Sequence, residues 1–338
     1  MIERDSHDVA DTALMSRPLA SILINNYNYA RFLDEAINSA LSQNYPRKEI
    51  IVVDDGSTDN SREIISRYGD RIIPVFKENG GQASAFNAGV ARCHGDILCF
   101  LDSDDFFHPN KLERVAAAFY RQGMNSRPIL VHHFLAIKSH ADNDLDGDMF
   151  GKTHDSPLNL YAFAKRYRFL WDEIGPTTSI SINRRLADRL FPIPERACIS
   201  ADGFIACGGS LVGEAYLLKE ILGGYRVHGN NNWYGTDQRI SQTFSDTLQE
   251  YLNRKLVENN LLPVISFDDS IYAWPRLVSD RRWLKLAWHM IRLSALHHDR
   301  YTARFVYYTL MSIAHLGMKT LRSRAHHLEL MADRFHRR

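Results

Sequence analysis

The sequence predicts an α/β fold: a mainly parallel sheet flanked by helices, followed by a helical C-terminal extension. Three observations predict it. Between Leu19 and His133 short apolar runs alternate with helical patterns, as in successive βαβ units. Polar clusters close three of the apolar runs, at Asn25–Tyr27, Asp54–Asp55 and Asp102–Asp105, and ligands bind at the carboxyl ends of strands in such sheets. Beyond Asp237 the pattern is helical almost to the end, with no further strand signal.

Each element has its local reason. Ser21–Asn25 reads as a strand, and Ala30–Ser42 as an amphipathic helix with Phe32, Leu33, Ala36, Ile37, Ala40 and Leu41 on one face. Ile50–Asp54 is a β-branched strand, after which Ser57 or Thr58 caps a helix reaching about Tyr68, with Asp59 and Glu63 near its positive end. Ile72–Phe76 is the third strand, Gln82–Cys93 a helix, and Asp96–Leu101 the fourth strand. Pro109–Gln122 is a helix with Pro near its first turn, and Ile129–His133 a fifth strand. Residues 138–157 are polar and read as a mobile loop. Asp142–Gly147 matches the front half of an EF-hand loop, but Thr153 stands where the bidentate Glu belongs, so a solvated acidic loop is expected.

Composition narrows the function. A hydrophobic content of 45% with 24% charged residues is that of a folded soluble protein. The net charge of +1 hides an asymmetry: residues 276–338 carry thirteen Lys/Arg against four Asp/Glu, leaving −8 for the rest. Cys93, Cys99, Cys198 and Cys207 show no C-x-x-C spacing, as expected of reduced thiols in a cytoplasmic protein. Residues 1–17 are polar and acidic, a flexible tail without the apolar core of a signal peptide. No apolar stretch reaches the roughly 18 residues of a membrane span; the nearest, Phe305–Met318, contains His315.

Phe100-Leu-Asp-Ser-Asp-Asp105 is the most informative segment. Carboxylates crowded at a strand end repel one another unless a cation sits among them, and hard divalent cations take oxygen ligands. An Asp-rich turn is the plainer reading of the segment alone.

The ordered set of motifs decides between them. Val53-Asp-Asp-Gly-Ser-Thr-Asp59 resembles the nucleotide-binding motif of family 2 glycosyltransferases, which have the GT-A fold. The resemblance extends over Ser21–Asn28, Ala36–Gln43, Glu78–Gln82, Asn87–Gly89 and Asp102–Asp105, covering about residues 18–135 strongly and 175–235 loosely. It implies three segments: the tail 1–17, a GT-A catalytic domain over 18–235, and a basic helical extension over 236–338.

It also implies roles. Asp55 would accept the imide N–H of a uracil-type base, with Tyr27 stacking near the base, Asn25 on the nucleoside, and Asn79, Gln82, Asn87 and Ser103 among the donor contacts. Asp54 would order the turn. In the D-x-D unit Asp104 would hold Mn2+ or Mg2+ and Asp102 the ribose or the metal's water shell, with Asp105 behind them. Asp202, opening a helix, matches the family's catalytic base, although Ala201 replaces the first carboxylate of the usual acidic pair. His228, at the end of Tyr225-Arg-Val-His, would ligate the metal or contact the diphosphate, while Arg226 is left between a phosphate contact and packing on the strand. Gly175–Ile180 with Arg184-Arg185 would line the acceptor side, near Trp171 and Trp233.

The expected activity is therefore inverting, metal-dependent transfer of a sugar from a nucleotide-sugar donor, a UDP-sugar, to a glycan or lipid-linked acceptor in surface polysaccharide synthesis. The basic C-terminal helices suit peripheral contact with an anionic membrane at the cytoplasmic face; no nucleic-acid platform accompanies the charge. A nucleotidyltransferase would need a Gly/Arg/Lys-rich loop where Asn25-Asn-Tyr-Asn28 stands. A catalytically silent sugar-nucleotide-binding or scaffold protein is the non-enzyme alternative, favoured by Ala201 alone.

Overall fold

The computed structural model describes residues 17–139, 145–151, 153–154, 156–167, 170, 174–196, 200–229, 231 and 242–266. Trp171, Trp233, Cys198, residues 1–16 of the expected tail and the basic residues 276–338, expected to be helical, lie outside them.

Nine strands form one sheet in the order β3-β2-β1-β4-β8-β6-β9-β5, with β7 paired to β6. The strands are β1 (Ala20–Asn26), β2 (Lys48–Asp55), β3 (Ile73–Lys77), β4 (Ile97–Asp102), β5 (Phe106–Phe107), β6 (Ile129–Ser139), β7 (Leu145–Phe150), β8 (Ser181–Asn183) and β9 (Glu214–Val227). β1 is parallel to β2 and β4, β2 to β3, and β6 to β9. Because β8 is antiparallel to both β4 and β6, those two share a direction. Six strands thus run one way, and the sheet is mainly parallel.

The central strands are buried along their length, which is why they read as continuous apolar runs and not as alternating ones. Pro74 falls on β3, at the edge of the sheet, where its missing N–H costs no ladder bond. The helices are α1 (Ala30–Leu41), α2 (Ser61–Ser66), α3 (Gln82–Val90), α4 (Lys111–Arg121), α5 (Tyr161–Tyr167), α6 (Arg184–Leu190), α7 (Ala201–Val212) and α8 (Gln242–Glu258). α1 buries Phe32, Leu33, Ala36, Ile37 and Ala40, the stripe its 3.6-residue periodicity predicts.

Three expectations change. The fifth strand runs on to Ser139 and β7 folds back on it, so residues 145–150 of the expected mobile loop are sheet. Ladder pairing with β9 supplies the stability that local composition does not advertise. The turn after β2 is capped differently too: neither Ser57 nor Thr58 caps α2, which begins after Asn60, while Asp59 accepts the amides of Ser61 and Ala30.

The first compact unit extends to Ile265 and a second comprises residues 266–338, whereas the sequence reading ends the catalytic domain at 235. The difference is α8. Its Tyr251 is fully buried, donates to Leu190 O at 2.8 Å and packs edge-on against Phe204 of α7. Among the described residues no helix is long and apolar enough to cross a membrane.

Gly89 shows how closely α3 lies on the sheet. A Cβ there would collide with Leu23 Cδ1 and sit 3.0 Å from Val53 Cγ2. Gly89→Ala gains about 1 kcal/mol of helix propensity but forces overpacking that costs about 1–3 kcal/mol. The expected outcome is net destabilisation, read as a lower urea midpoint at unchanged m-value.

Candidate active site

Register brings the polar clusters together. Asn25 lies opposite Asp102, Asn26 opposite Asp54, and Asp55 opposite Lys77, because four parallel strands end level with one another. β9, running the same way, delivers His228 just past its last residue.

Asp54 is fully buried and organises the turn. Its oxygens accept Asn26 Nδ2 at 3.1 Å, the Ser57 amide at 3.2 Å and Arg62 Nε at 3.0 Å. Asp55 is only 2% exposed, and its carboxylate is heavily engaged. Lys77 Nζ lies 2.5 Å from Oδ1, the Gly80 amide bridges both oxygens, and the Gly81 amide donates to Oδ2 at 2.7 Å. The Gly80-Gly81 amides thus face the protein's own carboxylate. Asn79 turns its side chain onto Asp55 O at 3.0 Å. Gly56, at φ +78°, lies against that segment; a Cβ would come within 2.6 Å of Asn79 N. Tyr27 stands 46% exposed beyond β1.

Asn87 is a clamp in this structure. Its Nδ2 donates to Ile193 O and Glu195 Oε1, and its Oδ1 accepts the Ile193 amide. Both donor hydrogens are spent on holding residues 193–195 against α3, instead of being left open for a nucleotide.

The aspartate loop is the centre of the site. Asp102 Oδ1 accepts Asn25 Nδ2 at 3.1 Å and Gln82 Nε2 at 3.4 Å, and its amide donates to Thr178 Oγ1. Ser103 is buried. Asp104 Oδ2 lies 2.9 Å from His228 Nε2, and the His228 side chain is fully enclosed between Tyr29 and Phe32. Asp105 is buried, accepting the Thr178 hydroxyl at 2.6 Å and the Arg226 amide at 2.9 Å.

Burial first, then the charges of Asp104 and Asp202, push Asp102 up to about 7. Asp105 is raised well above the carboxylate range by burial and by its two aspartate neighbours. Asp202, in the first turn of α7, is therefore within electrostatic reach of the loop; its Oδ1 accepts the Gly203 amide at 3.0 Å.

Arg226 packs on the strand. Its guanidinium lies over Phe32 and Phe106, with Nε on Asp104 O and Nη2 on Glu35. Arg184 and Arg185 do not line the acceptor side: Arg184 donates to Cys93 O and Gly95 O, just ahead of β4 at the far end of the sheet, and Arg185 to Asn125 O.

Residues 21–127 match the family model for Glycosyl transferase family 2. An uncharacterised glycosyltransferase of Nostoc sp., alr2836, is 33% identical over 309 residues, which is 85% of this chain and 94% of that protein. The chain belongs to glycosyl transferase family 2. TuaG of Bacillus subtilis, named for teichuronic acid biosynthesis, is 39% identical to this glycosyltransferase over 29% of its chain and 40% of TuaG. S. aureus TarS 1–349 in complex with UDP-GlcNAc superposes with a TM-score of 0.51 at 18% identity, over 77% of this chain and 79% of that one. The likeness is one of fold, and the fold is GT-A.

Two further residues of this glycosyltransferase brace the site: Thr178, from the segment expected to line the acceptor side, and Lys111, which no motif marks. Thr178 is fully buried and joins the Asp102 amide to the Asp105 carboxylate. Behind it Lys111, also fully buried, donates to Thr178 O at 2.9 Å with its ammonium 3.4 Å from the centre of the Phe107 ring. A lysine opening a helix ordinarily reads as surface, and nothing local in the sequence signals otherwise.

Burial lowers Lys111 from 10.5 to about 7. Below pH 7 it is charged in both the native and the unfolded state, and the cost of burying the charge is fully present. As pH rises from about 7 toward 10.5 the native state releases the proton first, so stability rises with pH over that window. Thermal unfolding should show wild type gaining on Lys111→Met between pH 7 and 10; a pH-independent difference would contradict this account.

Proposed function

We propose that this glycosyltransferase moves a sugar from a UDP-sugar to a hydroxyl of a glycan or lipid-linked acceptor, inverting the anomeric centre in one displacement. The observation that carries the reading is the nearness of Asp202 to a loop whose Asp104 meets His228. In this reading Asp202 receives the proton of the incoming hydroxyl and the Asp104–His228 pair serves the leaving diphosphate.

A divalent cation suits the second group. A carboxylate oxygen and an imidazole nitrogen converge at 2.9 Å, beside Asp102 and Asp105, which burial first and neighbouring aspartates second push upward. Among the described residues no three His, Cys, Asp or Glu side chains form a metal cage; Asp104 and His228 are the residues that would hold the ion. The mixed oxygen and nitrogen pair favours Mn2+ over Mg2+. Bound there, the ion would supply Lewis-acid stabilisation of the leaving diphosphate.

The chain's own residues do the rest. The acceptor oxygen forms the bond to the anomeric carbon, the bond to the diphosphate breaks with its electron pair on the diphosphate, and the hydroxyl proton passes to Asp202. A sugar hydroxyl is too weak an acid to ionise beforehand, so a base acting as the bond forms is what the chemistry needs. On the nucleotide side Asp55 would take the base imide N–H by giving up Lys77, whose side chain is 21% exposed against 4% for its partner. The UDP-GlcNAc in the TarS complex supports a uridine donor, and the name of TuaG supports a surface-polymer product. The basic composition of residues 276–338 suits an anionic membrane surface bearing a lipid-linked acceptor.

The test is a panel of UDP-sugars assayed for transfer and hydrolysis with Mn2+, using wild type and Asp202→Asn. The expected result is a loss of turnover of about 100-fold or more in the variant, with UDP affinity retained. Wild-type turnover in Asp202→Asn would remove Asp202 as the base.

A further inference from the structure

Gln82 opens α3, and the motif it belongs to assigns it to the donor. Its side chain has other partners. Oε1 accepts the backbone N–H of Ala201 at 3.0 Å, and Nε2 donates to Asp102 Oδ1 at 3.4 Å. These partners fix which amide atom is which, since a backbone N–H requires an acceptor and a carboxylate a donor.

Ala201 is the first residue of α7, where backbone amides have no acceptor within the helix. The usual remedy is a side chain at the preceding position. Here Ser200 is in the left-handed region, φ 59°, and makes no capping hydrogen bond. The cap comes instead from Gln82, on a different helix. Asp202 follows one residue later.

We propose that Gln82 is a positioning residue: a single amide ties the aspartate loop to the start of α7 and so sets the spacing between Asp102 and Asp202. The proposal rests on the reading of Asp202 as the base. Gln82 is itself anchored, because the preceding Gly80 and Gly81 amides are held by Asp55. A continuous set of hydrogen bonds therefore runs from the end of β2, through the start of α3, to the start of α7. Asp102 is steadied from the other side by Asn25, which shares the same oxygen.

The consequence is kinetic. In-line attack needs the base, the hydroxyl and the anomeric carbon in register, and a displacement of about 1 Å can cost about 100-fold. A residue that touched the nucleotide would show itself in donor affinity; a residue that sets spacing shows itself in turnover.

Gln82→Met keeps the length of the side chain and removes both hydrogen bonds, whereas Gln82→Glu keeps an acceptor for Ala201 and loses the donor to Asp102. Three quantities are read on the full chain: UDP affinity by calorimetry, hydrogen exchange of peptides covering residues 200–206, and kcat and KM for whichever UDP-sugar wild type hydrolyses fastest. Gln82→Met is expected to bind UDP within about twofold of wild type, to exchange about tenfold faster at the start of α7, and to lose at least about tenfold in kcat with KM little changed. Gln82→Glu is expected to recover the protection at Ala201. Loss of more than about tenfold in UDP affinity in Gln82→Met would make Gln82 a donor ligand and overturn the proposal. Unchanged exchange at residues 200–206, or Gln82→Glu exchanging as fast as Gln82→Met, would overturn it as well. Should Asp202→Asn turn over normally, the base assignment fails by itself, and the exchange arm still decides the tie.

Discussion

The buried carboxylate of Asp105 is the constraint on which the site depends. It accepts the hydroxyl of Thr178 on one side and the amide of Arg226 on the other, and an interior carboxylate needs such partners to be tolerable. By satisfying itself in this way it draws the end of β9 against the loop after β4. Arg226 is two residues before His228, and Asp104 is the neighbour of Asp105, so one buried group determines that Asp104 and His228 meet. The Arg226 side chain repeats the connection through Asp104 O and Glu35. Lys111 backs it from beneath, its buried ammonium on the carbonyl of Thr178.

The strand-end cluster was legible in the sequence because two simple rules coincide there. Buried parallel strands read as apolar runs, and their carboxyl ends collect polar residues that a core would reject. β1, β2 and β4 obey both rules, so Asn25, Asp55 and Asp102 read from the sequence as residues at strand ends; the order of the strands is what brings them together. β9 was visible only through its last residues, Tyr225–His228, since Glu214–Gly224 mixes charged, apolar and glycine residues without a clean period. The extension of β6 is hidden because its parallel partner is distant in sequence, Ala136 pairing with Gly224 and Ser139 with Val227, and β7 because Leu145–Phe150 carries two aspartates and a glycine that read as loop.

What sequence could not give is how each side chain spends its hydrogen bonds. Asn87, Asn79 and Gln82 all fall in motifs associated with the donor, yet their amides are turned onto Ile193, Asp55 O and Ala201. Arg184 and Arg185 sit beside the acceptor segment in sequence but at the opposite end of the sheet in space. Thr178 falls in the segment expected to line the acceptor side but braces the aspartate loop, and Lys111 carries no motif. The site is thus built in two layers: aspartates at strand ends and a His228 that the family resemblance marks, and groups such as Thr178, Gln82 and Lys111 that hold the loop and that only the fold brings into contact.

The meeting of Asp104 and His228 is central in chemical terms, because in the proposed mechanism the pair would offer one oxygen and one nitrogen ligand to a cation. Pulsed electron paramagnetic resonance of Mn2+ bound together with UDP reads the ligands directly. Nitrogen coupling from a coordinated imidazole is expected in wild type and should vanish in His228→Ala while Mn2+ stays bound through UDP and Asp104. Bound Mn2+ with no imidazole coupling in wild type would contradict the account.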